Sequence, residues 1–149
     1  MKLQTSTMLA LYSVLEAASQ PGKQVSAAEI AERYGVSAHH LAKVLRELGR
    51  TGLVDSSRGV GGGYRFSGNA RRLTLMDVIE RFEDIGARSP EPGAAQTDLG
   101  LAIARVLSEI DEIAKATFRS ITIDTLLKLV ERERHATASA PAPAPETRD

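Results

Sequence analysis

The sequence predicts a mainly α-helical protein with one small β-hairpin. Two short segments with helix-capping residues stand close together near the start of the chain, and a glycine-rich turn between two apolar runs follows them. Further on, a long segment carries large apolar residues at helical spacing. A chain of 149 residues with 42% hydrophobic content can bury a core as one compact domain without metal or disulfide support.

Three helices are predicted before the glycine-rich turn. The first spans residues 5 to about 19, where apolar residues recur at helical spacing. Ser26 and Glu29 have the spacing of a capping box and open a second helix, which ends near Gly35. Ser37 can cap a third helix, which ends at Gly52. The apolar face of that third helix consists of Leu41, Val44, Leu45 and Leu48.

The second and third helices are joined by a tight glycine-containing turn, which is typical of a helix-turn-helix motif. Residues 53–57 and 64–67 predict two short strands around the glycine-rich turn. A hairpin directly after a helix-turn-helix is typical of a winged helix, in which the hairpin is the wing and the third helix is the recognition helix. Residues 1–85 are therefore predicted to form a winged helix-turn-helix DNA-binding domain, completed by a fourth helix from Thr74 to about Phe82.

A long helix and a final shorter helix are predicted after a flexible connection at residues 86–97. Within residues 98–134, apolar residues alternate at spacings of four and three, which predicts a long dimerisation helix and hence a homodimer. The final helix should run from Ser120 to about Glu133 and cross back towards the first, while the Ala/Pro-rich residues 135–149 should be disordered. The predicted dimer interface, called here the apolar stripe, consists of Leu99, Ile103, Val106, Ile110 and Ile113.

Charge is unevenly distributed along the chain, although the net charge is zero. Residues 33–72 contain eight Lys or Arg and only two Asp or Glu, a net charge of +6, so the remainder of the chain carries −6. A basic region within an otherwise acidic chain is typical of a protein that binds nucleic acid.

Several classes of function are excluded by composition. Cysteine is absent, which removes disulfides, thiolate catalysis, thiol redox sensing and cysteine-held zinc or iron–sulfur sites. No Ser-His-Asp set, metal-ligand cluster or suitably spaced carboxylate pair emerges, so we predict that the protein is not an enzyme. The N-terminus has no basic-plus-apolar leader and no apolar run is long enough to span a membrane, which predicts a cytoplasmic protein without membrane contact.

The first turn of the third helix supplies candidate DNA contacts. Ser37, His39 and His40 occupy this turn, where helix-turn-helix proteins place side chains at base edges. The alternative is a serine cap with two solvated histidines. Metal binding by the two histidines would need further ligands, which the neighbouring sequence does not offer.

The polar face of the third helix adds three cations, Lys43, Arg46 and Arg50, at three- and four-residue spacing. Together with a basic wing they are suited to phosphate contact. A structural ion pair of Arg46 or Arg50 is the alternative.

The glycine-rich turn supplies the wing candidates. Gly59, Gly61 and Gly62 let the backbone approach another surface closely, and the turn lacks the Gly-Lys-Ser/Thr ending of a P-loop. Arg58 is predicted to insert into the minor groove, where negative potential attracts arginine. Tyr64 is also a DNA-facing candidate, although a core-facing position is favoured for it. An ordinary tight hairpin is the alternative for the whole turn.

Five segments of the chain carry a family resemblance. They are residues 1–3, 30–37, 41–48, 52–54 and 58–65, the last with the sequence Arg-Gly-Val-Gly-Gly-Gly-Tyr-Arg. In this order they resemble the Rrf2 family, the group of winged-helix regulators that includes IscR, NsrR and CymR, over most of the chain. The resemblance implies a dimeric transcription regulator that reads a pseudo-palindromic operator with its third helix in the major groove and its wing in the minor groove. It also implies weak DNA-backbone contacts for Lys2 and Thr5, where helix amides can meet a phosphate.

The chain departs from the family in its sensor. Many members resemble iron–sulfur proteins and hold a cluster with three cysteines between the fourth helix and the dimerisation helix. Residues 88–98 contain no cysteine here, and Met8 stands where some of those relatives have a carboxylate. The resemblance is therefore to the cluster-free branch of the family, and we predict no cofactor.

Two functions follow from these observations. The leading hypothesis is a sequence-specific, homodimeric repressor that binds a palindromic operator in double-stranded DNA without an iron–sulfur cluster. The alternative is a winged-helix protein-interaction module whose DNA binding is controlled by a partner protein or a small-molecule effector.

Overall fold

The computed structural model of the chain describes residues 2–86 and 89–139. Within them, six α-helices surround one antiparallel β-hairpin, as the sequence predicts. In chain order the elements are α1 (Thr5–Ala18), α2 (Ala27–Tyr34), α3 (Ala38–Arg50), β1 (Val54–Ser57), β2 (Gly63–Phe66), α4 (Leu75–Ile79), α5 (Asp98–Ser120) and α6 (Ile123–Ala138).

Local capping determines where α2 and α3 begin. The Ser26 hydroxyl accepts hydrogen bonds from the amides of Ala28 and Glu29 at 3.2 and 3.4 Å, and the Glu29 carboxylate accepts from the Ser26 amide at 3.2 Å. Gly35 ends α2 with φ of 62°, a left-handed conformation that glycine adopts without strain. Ser37 then caps α3 by accepting from the His40 amide at 3.1 Å. These predicted boundaries are confirmed.

The amphipathic helix α3 lies against α1 in the centre of the core. Its apolar face is fully buried, with Leu41, Leu45 and Leu48 at 0–1% exposure. Burying each side chain of this size contributes roughly 1.5–3 kcal/mol, so the face that α3 buries is strongly specified. Other large buried residues come from α1, α2, α4, α6 and strand β1, and they include Val14, Ile30, Val54, Ile79 and Ile123.

The β-hairpin is anchored to the turn between α1 and α2. Val54 pairs with Phe66 and Ser57 with Gly63. Strand β1 begins one residue after its predicted start and ends as predicted, whereas β2 begins and ends one residue before its predicted bounds. The Val25 amide donates to the Tyr64 carbonyl at 2.8 Å, and the Tyr64 amide donates back to the Val25 carbonyl at 2.9 Å. This bridge ties the wing to the helical core.

The fourth helix is shorter than predicted. It ends at Ile79 instead of Phe82, because the amides of Arg81 and Phe82 bond three residues back, to the carbonyls of Val78 and Ile79. Such bonds tighten the chain into turns after the helix.

The predicted start of the final helix at Ser120 is wrong. Helix α5 continues through Ser120, and Thr122 caps α6 by accepting from the Thr125 amide at 3.2 Å. The two helices are separated because the chain between them pairs with an extended segment before α4, where the Leu75 amide donates to the Ile121 carbonyl at 2.9 Å. As predicted, α6 returns to α1.

Helix α6 also continues past the predicted end at residue 134. Residues 135–138 are helical, in keeping with the high helix propensity of alanine, although the sequence assigned them to the disordered tail. Residues 140–149 of that tail lie outside the described residues. In the connection, Ala94–Gln96 form one turn of 3₁₀ helix, and the flexibility of residues 86–97 stays a prediction.

A cluster of side chains joins α1 to α2. The rings of Tyr12 and Tyr34 stack with their centroids 4.5 Å apart. The Tyr34 hydroxyl donates to Glu16 Oε1 at 2.7 Å, and Arg33 Nη1 donates to Glu16 Oε2 at 2.5 Å. Partial burial and the hydrogen bond to Glu16 together raise the pKa of Tyr34 to about 12.

We expect Thr7→Val to stabilise the fold. Thr7 is fully buried in α1, and its hydroxyl oxygen has no hydrogen-bond partner among the described residues. Since an unsatisfied buried hydroxyl costs about 1–3 kcal/mol, its replacement by a methyl group should raise the free energy of unfolding by about 1 kcal/mol. Urea unfolding measures this change. Ser13→Ala is the matched control, because the buried Ser13 hydroxyl donates to the Leu9 carbonyl at 2.7 Å and its removal should not stabilise.

Alkaline pH should weaken the fold through Tyr34. Its pKa in the folded protein is about 12, against about 10 in the unfolded chain, so folding favours the protonated phenol. The resulting stability is fully present below pH about 10 and is lost as the pH rises towards about 12. We expect the difference in unfolding free energy between the wild type and Tyr34→Phe to stay constant up to pH about 10 and then to fall. A difference that is independent of pH throughout would contradict this assignment.

Candidate nucleic-acid interface

The solvent face of α3 is cationic. Because Leu41, Leu45 and Leu48 point into the core, helical geometry turns Lys43 and Arg46 outward, and both are exposed. Arg50, the third predicted cation, is also exposed, at the end of the same helix. The structure thus places the predicted cations on the side of α3 that a ligand can reach.

Arg50 differs from the other two because it is paired. Its Nη2 lies 2.5 Å from Glu47 Oε1, and its Nε donates to Glu47 Oε2 at 3.0 Å. The hydrogen bond from Arg50 lowers the pKa of Glu47, and the same bond raises the pKa of Arg50. The ion-pair alternative therefore applies to Arg50. Exposed pairs of this kind are weak, so the guanidinium can exchange partners at little cost.

The two histidines in the first turn of α3 have different surroundings. His39 is exposed, whereas His40 is half-buried and its Nε2 lies 3.0 Å from the Ser6 hydroxyl of α1. The Ser37 side chain is exposed, and its hydroxyl accepts a hydrogen bond from the His40 amide. The alternative of a serine cap with two solvated histidines therefore holds for Ser37 but not for His40, because one ring nitrogen of His40 is bound to a neighbouring helix. Sequence periodicity carried no signal for this contact.

The wing needs its glycines for two separate reasons. Gly59 and Gly61 have φ of 96° and 77°, which side chains rarely allow. Gly62 and Gly63 do not have a positive φ, but backbone atoms of neighbouring segments leave no room for a side chain at either position. A Cβ added to Gly62 would lie 2.5 Å from the Ser57 carbonyl oxygen, and one added to Gly63 would lie 2.7 Å from the Val25 carbonyl oxygen. An ordinary hairpin turn does not impose both requirements on four neighbouring residues.

The wing carries free charge at its tip. Arg58 is exposed and stands beside the fully exposed Val60. Further down the hairpin, Arg65 lies 3.9 Å from Asp55, and both side chains are more than half exposed. Gln24, from the turn after α1, contacts the Ser57 hydroxyl at the base of the tip. This support was missed by sequence reasoning, because Gln24 lies far from the wing in the chain.

An open groove of about 730 Å³ lies between α3 and the wing. Arg46 lines one side and Arg58 the other, so the two cations share one concave surface. Tyr64 also lines the groove, but it is half-buried and packs against the core, which agrees with its core-facing alternative. We call the surface formed by α3 and the wing the basic groove.

The N-terminus of α1 is occupied by a carboxylate of the chain itself. The Gln4 amide, at the N-cap position, donates to Glu83 Oε1 at 2.9 Å. Lys2 and Thr5 are exposed beside it. A phosphate that approached this helix end would meet the negative charge of Glu83, so the predicted contacts of Lys2 and Thr5 would have to come from their own side chains or from other amides.

Helix α5 exposes the whole apolar stripe. Leu99, Ile103 and Ile113 are 79%, 62% and 67% exposed, and Val106 and Ile110 are exposed as well. A different face of the helix turns to the domain, where Phe118 packs against the core and the Asp111 side chain covers Gly86. Five large apolar residues on one side of a helix therefore have no cover within the described chain.

Within the described residues, no three His, Cys, Asp or Glu side chains come together in a way that could hold a metal ion. No helix in the same part of the chain is both long enough and apolar enough to span a membrane.

Known proteins resemble this chain over most of its length. The family model described as Rrf2, iron-dependent transcriptional regulator, matches residues 3–129. BadM of Rhodopseudomonas palustris, whose name describes an HTH-type transcriptional regulator, is 51% identical over 137 residues, which are 92% of this chain and 88% of BadM.

Two solved structures have the same fold. CymR, the global cysteine regulator of B. subtilis, matches with a TM-score of 0.73 and 25% identity over 87% of this chain and 98% of CymR. IscR of T. potens has a TM-score of 0.65 at 23% identity over 96% of this chain and 94% of its own. These matches confirm the winged-helix fold.

The family description names iron, whereas this chain contains no cysteine. A cluster held by cysteines therefore does not fit these residues. The relatives are transcriptional regulators and not enzymes. On the family match and the identity to BadM, the chain belongs to the Rrf2 family and is a winged-helix transcriptional regulator.

Proposed function

We propose that the protein is a homodimeric repressor that binds a palindromic operator in double-stranded DNA and needs no iron–sulfur cluster. The observation that carries the proposal is the basic groove, in which exposed cations of α3 and of the wing line opposite sides of one concave surface. With α3 in the major groove and the wing in the adjacent minor groove, the sugar-phosphate backbone that separates the two would lie in the basic groove, within reach of both cations. Such a regulator acts where the chromosome is, which is the cytoplasm of a bacterial cell.

Each part of the basic groove has its own role in this proposal. Helix α3 enters the major groove, with His39 at the base edges and Lys43 and Arg46 on phosphates. Arg58 enters the minor groove, and Gly59, Gly61 and Gly62 let the wing backbone follow it closely. Arg50 reaches a phosphate by leaving Glu47. Ser37 contributes through the cap that starts α3.

The apolar stripe supports the homodimer. Exposed large apolar side chains at heptad-like spacing are stabilised by a second helix of the same kind, and a second copy of this chain offers one. A two-fold dimer presents two α3 helices about 34 Å apart, one turn of the duplex, so its operator has dyad symmetry. Repression then requires only that the dimer occupy a promoter.

Control by a small molecule is a second candidate, favoured by one observation. A cavity of about 310 Å³ lies between the connection and α5 and is lined in part by Pro90, Ala94, Ile103 and Leu107. This volume is at the lower end of the range of small-molecule sites, about 300–1,000 Å³. An occupant there would touch the helix that carries the apolar stripe and would thereby alter the spacing of the two DNA-binding domains.

Selection from fragmented genomic DNA tests the proposed DNA binding. We expect the metal-free protein to retain fragments that share one palindromic motif. Arg46→Ala and Arg58→Ala should each weaken binding to that motif. Each substitution should also reduce the slope of log affinity against log salt concentration by about 0.9. Arg105→Ala is the matched control, because Arg105 is an exposed arginine of α5 outside the basic groove and should leave the slope unchanged. Retention of no motif would refute the proposal, whereas a motif retained only with added cell extract would favour control by a partner.

A single aspartate in the apolar stripe should break the dimer. Ile110→Asp places a charge where two apolar helices meet, and the cost of burying it should leave a folded monomer with weakened operator binding. Ala116→Asp adds the same charge at an exposed position on another face of α5 and should remain dimeric. Sedimentation equilibrium measures both masses. If Ile110→Asp keeps the dimer mass, the interface lies elsewhere.

A further inference from the structure

Adjacent histidines on a helix point in directions about 100° apart, so His39 and His40 can face different partners. His39 is exposed, while His40 is half-buried against α1 and bonded to Ser6. The backbone adds to this difference, because the amide that Ser37 caps is the amide of His40. His40 is therefore held by its side chain and by its main chain at once.

We propose that His40 is a positioning residue that fixes the start of the recognition helix against α1, and that His39 alone is the histidine that reads bases. The proposal rests on the proposed function. It assigns the positioning of α3 to His40 and the reading of bases to His39. The His40 ring acts through Ser6, and it touches no DNA.

The anchor that Ser6 offers is rigid. Its neighbours in α1 include Leu9, Ala10 and Val14, which are at most 3% exposed, so the first turn of α1 is continuous with the best-buried helix of the core. The apolar face of α3 fixes that helix along its length, but its buried residues begin only at Leu41. The bond between His40 Nε2 and the Ser6 hydroxyl restrains the preceding turn, which is the part of α3 closest to the base edges in helix-turn-helix proteins.

This bond is possible in either tautomer of the ring. A neutral ring with its proton on Nδ1 accepts from the Ser6 hydroxyl, and a ring with a proton on Nε2 donates to the Ser6 oxygen. The positioning role therefore does not depend on one tautomer. Base recognition is more demanding, because a base edge presents a fixed pattern of donors and acceptors. The exposed ring of His39 is free to meet that pattern.

A double-mutant cycle on operator affinity tests the assignment. We expect Ser6→Ala and His40→Ala each to weaken operator binding about five-fold, the factor given by one hydrogen bond of ordinary net strength, and the double variant to be no weaker than either single variant. Both variants should keep the base preference of the wild type at every operator position. His39→Ala is the matched neighbour and should relax the preference at one position of each half-site.

Two further measurements separate positioning from loss of fold. His40→Gln places an amide near the position of Nε2, and it should restore affinity, whereas non-specific DNA affinity should be the same in all variants. In nitrogen NMR spectra of the free protein, Ser6→Ala should shift the ring nitrogens of His40 and leave those of His39 unchanged. This readout needs no DNA, so a missing contact between Ser6 and His40 can be told apart from a failure to bind an operator, which would refute the proposed function.

The assignment is overturned by any of three results. They are additive losses for Ser6→Ala and His40→Ala, a relaxed base preference in His40→Ala, and an unchanged His40 spectrum in Ser6→Ala. Because Ser6→Ala removes only one oxygen from a helix, it remains informative if His40→Ala does not fold.

Discussion

The burial of the apolar face of α3 against α1 is the constraint on which the rest of the structure depends. Leu41, Leu45 and Leu48 have almost no exposed surface, and a rotation of α3 would expose them at a cost of several times about 1.5–3 kcal/mol. Because a helix has fixed angles between its residues, this burial also decides that Lys43, Arg46 and His39 face outward. The chemistry of the surface is thus a consequence of the packing of the core, and a change in either face of α3 affects the other.

The wing is held both by apolar packing, with Val54 buried and Phe66 packed against the core, and by main-chain pairing. Val25 pairs with Tyr64 through two backbone hydrogen bonds, and the close approach requires a residue without a side chain at Gly63. Main-chain pairing of this kind is independent of side-chain identity on the exposed face. Arg58 is therefore presented from a rigid base, although the turn that carries it makes few contacts with the core.

Features that depend on neighbouring residues could be predicted from the sequence, whereas features that depend on distant segments could not. The capping box of Ser26 and Glu29 and the glycine at position 35 lie within a few residues of the boundaries they determine. The start of α6 depends instead on pairing between residues 73–75 and 121–123. The ion pair of Arg50 with Glu47 lies within one helical turn, so the sequence could offer it as an alternative. The contact of His40 with Ser6 could not be predicted, because the two residues belong to different helices. Glu83 at the start of α1 belongs to the same class, since 79 residues separate it from Gln4.

The separation of charge along the chain has a further effect at distances where no contact is made. Residues 33–72, which include α3 and the wing, carry +6 and the remainder of the chain −6, so the positive charge of a chain without net charge is concentrated around the basic groove. A polyanion does not attract such a molecule as a whole, but its field exerts a torque that turns the basic end forward. This orienting force acts over about 8 Å at physiological ionic strength, which corresponds to the last few layers of water before contact. Encounters in the wrong orientation are thereby reduced without the non-specific adhesion that a strongly basic protein would show.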